Sequence, residues 1–214
     1  MAKPLVMLGG GGHASVLADI LISQGATIIA VVTPEPINNS TSLLSGLPRI
    51  SQDECVLRQY SPNKVDLVNG IGALPNSNSR HRIFDYFSRQ GYYFPPIISF
   101  NALISKSSNI YEGVQVMPGA IIQPHSEIKA NTIINTGVII EHDCEIGKHN
   151  HIAPGAVLSG GVKTESYVHI GTGATIIQGI CISNNAIIGA GTTIARNVPQ
   201  GRVLIPASSR ILKE

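Results

Sequence analysis

The stretch IQPHSEIKANTIINTGVIIEHDCEIGKHNHIAPGAVL, residues 122–158, carries an aliphatic side chain at every sixth position: Ile122, Ile128, Ile134, Ile140, Ile146, Ile152 and Leu158. The same phase runs back through Val116, Ile110 and Ile104. It runs forward through Thr164, the one exception, to Ile170, Ile176, Ile182, Ile188 and Ile194. A helix repeats every 3.6 residues and a strand every two, and neither holds a period of six over this length. Four residues after each ladder position stands Ser, Ala, Thr, Val or Cys, except at Asn150 and Ile180. In most repeats the residue three positions after it is Gly113, Gly119, Gly137, Gly155, Gly161, Gly173, Gly179 or Gly191, or Asn131, Asn185, Asn197, Asp143, His125 or His149. Those residue types tolerate a positive φ, so this slot reads as a turn. A bend every six residues closes a triangle every eighteen, and each coil stacks on the last at about 4.8 Å. The C-terminal half is therefore predicted to be a triangular parallel β-helix in which residues eighteen apart are vertical neighbours.

The composition agrees. Aromatics make up 5% of the 214 residues and there is no Trp, while apolar residues reach 43%, which suits an aliphatic layered core. The net charge of +2 and the lack of basic runs leave no footprint for nucleic acid. The N-terminal run is too short for a signal peptide or a membrane span. Three well-separated cysteines, Cys55, Cys144 and Cys181, form no CxxC pair. A cytoplasmic, metal-free protein with no disulfide framework and no membrane insertion is expected.

Before the repeats, PLVML at residues 4–8 reads as a short strand, followed by GGGGHA at 9–14 and a helix bearing Val16, Leu17, Ile20 and Leu21 on one face. A strand over 27–33, another over 65–71 and an amphipathic helix over 78–90 with Ile83, Phe84 and Phe87 complete a small Rossmann-like βαβ sheet. Gly9, Gly11 and Ala14 match G-x-G-x-x-A, whose backbone N–H groups approach a phosphate at a helix N-terminus. The strand over 27–33 ends in Thr33, Pro34 and Glu35, with no acid placed for NAD ribose hydroxyls, and the sheet is too short for two nucleotide halves. A nucleoside diphosphate suits it better. The Pro95–Pro96 pair separates the halves, giving domains 1–98 and 99–214.

The glycine loop, the hexapeptide prism and the segment VIIEHDCEIG at 138–147 together resemble the sialic-acid O-acetyltransferase and nucleotide-4-amino-sugar N-acetyltransferase family. The resemblance covers nearly the whole chain. It implies a left-handed β-helix, acetyl-CoA as co-substrate, homotrimers with active sites between subunits, and a sugar nucleotide on the N-terminal domain. It implies His142 as the general base for direct attack of the acceptor on the thioester. Histidine is the side chain that exchanges protons near neutrality. Asp143, or in second place Glu141, would orient the imidazole. Gly160 lies eighteen residues beyond His142 and so one coil above it, and the family's matching glycine contacts the acetyl carbonyl. Asn135 and His151 match residues that touch acetyl-CoA or the reacting groups. His151 is half a coil from His142, on the other side of one prism, which argues for sites shared between neighbouring copies. His169 stacks above His151, and His125 and His149 read as turn residues. Gly10, Gly11, Gly12, His13 and Gly72 resemble the sugar-nucleotide site.

The expected reaction is acetylation of the C4 amine of a 4-amino-6-deoxy sugar, UDP-linked in the first instance, for surface glycan biosynthesis. The alternative acceptor is a sialic-acid hydroxyl. Two remoter readings are a γ-carbonic-anhydrase-like zinc enzyme using His142, His149, His151 and His169, and a β-helix that only binds.

Overall fold

The computed structural model describes residues 3–37 and 42–207, which divide into two compact units. One contains the residues up to Phe100 together with Tyr111–Val116; the other contains Asn101–Ile110 and the residues from Met117 onward.

In the first unit the elements run β1 (Leu5–Leu8), α1 (Gly12–Ser23), β2 (Ile28–Val32), β3 (Arg49–Ile50), α2 (Glu54–Gln59), β4 (Asp66–Asn69) and α3 (Ser79–Arg89). The sheet order is β3-β2-β1-β4, all parallel. Every residue of β1 is buried, as an internal parallel strand demands. The two-residue β3 and six-residue α2 had left no periodicity to read. On α1 the buried stripe is Ala14, Leu17, Ala18 and Leu21, with Ile20 beside it. Val16, expected on that face, is 44% exposed. It sits a helical step of about 100° away from Leu17. The buried stripe of α3 is Arg80, Ile83, Phe84 and Phe87, spaced i, i+3, i+4, i+7, with Phe84 packed 4.7 Å from Phe94. After Pro95 and Pro96, Ile97–Ile98 pairs in parallel with Gln115–Val116.

The second unit is a triangular parallel β-helix of two-residue strands. One face stacks residues 103–104, 121–122, 139–140, 157–158, 175–176 and 193–194; a second stacks 109–110, 127–128, 145–146, 163–164 and 181–182. The third stacks 133–134, 151–152, 169–170, 187–188 and 203–204. Each strand pairs with the one eighteen residues on, as Ile139 with Val157 and Ile140 with Leu158. Corner residues such as Ala120, Val138, Cys144, Ala156 and Ala174 are fully buried beside the ladder. The turn slot is left-handed at Asn131, Asp143, Asn185, His125 and His149, with φ between 56° and 62°. Tyr167 shares that conformation at φ 62°. Asn197 does not, because the last coil is two residues short: Ile187 pairs with Val203 and Ile182 bridges to Val198.

The two polar departures from the repeat satisfy each other. Asn150, in a corner slot, donates through Nδ2 to Oγ1 of Thr164, the one polar ladder residue, at 2.6 Å. Asn150 Oδ1 accepts the Val168 N–H at 2.7 Å, and its own N–H donates to Thr132 Oγ1 at 3.1 Å. Buried polar groups are tolerated only when so paired. Asn150→Val and Thr164→Val should each destabilise the protein by about 1–3 kcal/mol, because the first strands the Val168 N–H and the second the Asn150 side-chain amide. The double variant should lose about 1 kcal/mol less than the sum of the two. Denaturant melts of all four proteins measure this, and strict additivity would show that the bond contributes nothing.

Candidate active site

His142 occupies the corner between the first and second faces, immediately before a left-handed residue. Neighbouring side chains along an extended chain point apart; φ 60° at Asp143 turns its carboxylate back instead. Asp143 Oδ2 lies 2.7 Å from His142 Nδ1. A carboxylate only accepts, so Nδ1 carries the proton and Nε2 presents its lone pair in the neutral ring. It is thus Asp143, not Glu141, that holds the imidazole. One coil above, a Cβ built on Gly160 would stand 2.6 Å from His142 Cε1 and 2.7 Å from Nε2. The ring therefore occupies the space that any side chain at position 160 would need. The Gly160 carbonyl accepts from Gly179 N–H at 3.0 Å, while its N–H donates to no backbone carbonyl among the described residues. Both His142 and Asp143 are exposed.

Asn135 and His151 lie elsewhere on the prism. His151 begins a strand of the third face, and Asn135 Nδ2 donates to its Nε2 at 3.2 Å. The ring of His169 meets His151 edge-on at 4.9 Å, and burial pushes the His169 imidazole below its ordinary value. His149 stacks on Tyr167 at 5.0 Å and pairs with Asn131. His142 thus pairs with Asp143 at one corner and Asn135 with His151 on the third face, and among the described residues no cluster of His, Cys, Asp and Glu could hold a metal ion. No described helix is long and apolar enough to cross a membrane.

In the first unit, Gly9 takes φ 101° and Gly11 caps α1. A Cβ on Gly10 would press on Ile37 and Thr33 at 3.2–3.3 Å, whereas Gly11 and Gly12 face open space. Gly72 has only His13 Cβ within reach, at 3.6 Å. His13 Nε2 is 2.8 Å from Gln115 Oε1. Burial first, then the Arg80 charge, push its pKa from 6.5 down to about 4. Three residues here were not anticipated. Gly70 admits no side chain, since a Cβ would come within 2.7 Å of Ala14 Cβ and 2.9 Å of Leu8 O. Arg80 donates to Asn69 O at 2.9 Å and Ile71 O at 2.7 Å, and burial lowers its pKa to about 9. Its place on the apolar stripe of α3, three before Ile83, was the available signal. Gln115 carries no such mark. Ile71, whose side chain lies 3.3 Å from where a Gly9 Cβ would be, lines a cavity of about 750 Å³ that also touches Ser79, Arg82 and Tyr86.

Residues 4–87 match the family model of the PglD N-terminal domain, and residues 125–160 match that of the bacterial transferase hexapeptide (six repeats). Among solved structures, the acetyltransferase domain of PglB from Neisseria gonorrhoeae is 29% identical, over 94% of this chain and 95% of that one, with TM-score 0.82. The same domain has been solved with acetyl coenzyme A. PerB from Caulobacter crescentus, solved with CoA and GDP-perosamine, is 30% identical over 94% and 93% of the two chains, also with TM-score 0.82. WeeI from Acinetobacter baumannii AYE, 24% identical over 99% and 100% with TM-score 0.81, shares the fold. No curated protein sequence matches. The chain is a hexapeptide-repeat acetyltransferase, and its prism is the left-handed β-helix of that class. It belongs to the PglD-like family, which joins this prism to a small α/β domain.

A His13 pKa held below the unfolded value means that the neutral ring stabilises the fold. The contribution is complete above pH 6.5 and disappears as pH falls toward 4. Allowing for partial solvent screening, it amounts to about 2 kcal/mol. Chemical denaturation between pH 7 and 4 should show that loss, and His13→Gln should flatten the profile.

Proposed function

We propose that the protein transfers the acetyl group of acetyl-CoA to the C4 amine of a nucleotide-linked 4-amino-6-deoxy sugar. The observation that carries this reading is the His142–Asp143 pair seated against Gly160. The acceptor nitrogen attacks the thioester carbonyl while His142 Nε2 takes its proton. The carbonyl oxygen becomes an oxyanion, which in this reading the Gly160 N–H stabilises. The intermediate collapses by breaking the C–S bond, and the proton held on His142 passes to the departing CoA sulfur. Asp143 keeps the ring in the tautomer the first step needs and stabilises the imidazolium between steps. The complexes of PglB with acetyl coenzyme A and of PerB with CoA and GDP-perosamine support this donor and this class of acceptor. UDP is our first choice of carrier; the PerB complex favours GDP as the second reading.

The acceptor is placed on the first unit. Gly10, Gly11, Gly12, His13 and Gly72 line the ends of β1 and β4, beside the 750 Å³ cavity bounded by Ile71. Asn135 and His151 complete the acetyl-CoA site from a neighbouring copy. The outward residues of the three prism faces support such an assembly. The first face shows Leu103, Ile121, Ile139 and Val157, and the third His151, His169 and Ile187. The second shows Asn109, Glu127, Glu145, Lys163 and Cys181. Packing the first face of one copy on the third face of the next buries the two faces without Lys or Glu and leaves the charged face in water. Three such contacts close a ring and set His142 beside His151 of the partner subunit. We place the reaction in the cytoplasm, in surface glycan assembly.

Thiol release from acetyl-CoA should appear with one or more of a panel of UDP-, dTDP- and GDP-linked 4-amino sugars; turnover of free sialic acid alone would instead make the enzyme an O-acetyltransferase. With the best acceptor, His142→Ala should lower kcat by about 10²–10⁴-fold while acetyl-CoA still binds. Gly160→Ala should leave the melting temperature nearly unchanged yet lower kcat about 100-fold, because the new methyl displaces the imidazole.

A further inference from the structure

A buried polar chain runs beneath the glycine loop of the first unit, and each bond in it has a forced direction. The carbonyl oxygen of Asn69 can only accept, and it receives Arg80 Nη1 at 2.9 Å and Gln115 Nε2 at 2.8 Å. With its amide nitrogen committed there, Gln115 turns Oε1 toward His13 Nε2, 2.8 Å away. An amide oxygen also only accepts, so the proton of the His13 ring sits on Nε2. Burial and the Arg80 charge keep that ring neutral, which leaves Nδ1 as a bare acceptor. No described residue bonds to Nδ1. Gln115 itself is 2% exposed, so solvent does not compete for its amide.

We propose that Gln115 is a positioning residue for the acceptor: it holds His13 in the Nε2–H form so that Nδ1 accepts a hydrogen bond from a hydroxyl of the sugar nucleotide. The proposal rests on the sugar-nucleotide reading of this unit. A phosphate oxygen offers only lone pairs and cannot bond to Nδ1, whereas a ribose or hexose hydroxyl can donate to it. The phosphates fall instead to the backbone at the start of α1, where Gly11 and Gly12 have no atom within 4 Å of a built Cβ. His13 thus reads the sugar rather than neutralising the diphosphate.

Long-range ¹H–¹⁵N spectra of the full-length protein should show His13 with a protonated Nε2 and a bare Nδ1 at neutral pH. A proton on Nδ1, or an imidazolium, overturns the assignment. Adding the nucleotide amino sugar should shift Nδ1 toward a hydrogen-bonded value while the Nε2 proton persists, and an unmoved Nδ1 overturns the proposal. A shift with UDP or GDP alone assigns the donor to the ribose; one that needs the complete sugar nucleotide assigns it to the hexose. Gln115→Leu should raise KM for the amino sugar at least about tenfold, with kcat and the KM for acetyl-CoA within about twofold; an unchanged KM counts against it. If no 4-amino sugar nucleotide is acetylated, the proposed reaction fails, while the tautomer is still judged by the ring spectrum of the unliganded protein.

Discussion

Each coil of the prism must land on the one below with the same residues facing in, and the rest of the second unit depends on that register. The strands are only two residues long, so no single strand pairing is strong enough to resist a slip. Register is held collectively: aliphatic ladders fill the interior, and a left-handed backbone bends the chain at the same slot of coil after coil. A slip of one residue would turn the ladder outward on the affected coil and expose it. The final coil, two residues short, is where this discipline relaxes.

The chemistry inherits its precision from that stacking. His142 meets Gly160 because they are vertical neighbours, and a larger residue in the upper coil would occupy the ring's place. Asp143 reaches back to His142 only because the bend that closes the triangle falls on it. The same logic tolerates polarity inside the prism. Asn150 and Thr164 break the pattern in different slots, yet stacking brings them within 2.6 Å.

Two histidines are held in opposite tautomers by neighbours that can act in only one sense. A carboxylate on Nδ1 leaves Nε2 of His142 available to take a proton. An amide oxygen on Nε2 leaves Nδ1 of His13 available to accept a hydrogen bond. The first ring is exposed and changes charge during the cycle we propose; the second is partly buried and stays neutral. Environment, rather than residue type, assigns the work.

The period of six was enough by itself to determine the prism, its ladders and the column shared by His142 and Gly160, because a repeat converts spacing in the chain directly into neighbourhood in space. The left-handed turn slot was equally legible wherever Gly, Asn, Asp or His filled it, and failed at Asn197, where the coil length changes. Only the tertiary structure decided that Asp143 rather than Glu141 holds the imidazole, that Val16 faces water, and that Arg80 and Gln115 meet at the Asn69 carbonyl. Those facts depend on side-chain direction and on contacts between segments with no common period. Gln115 lies 102 residues from His13, and nothing in the spacing of either announces the bond between them.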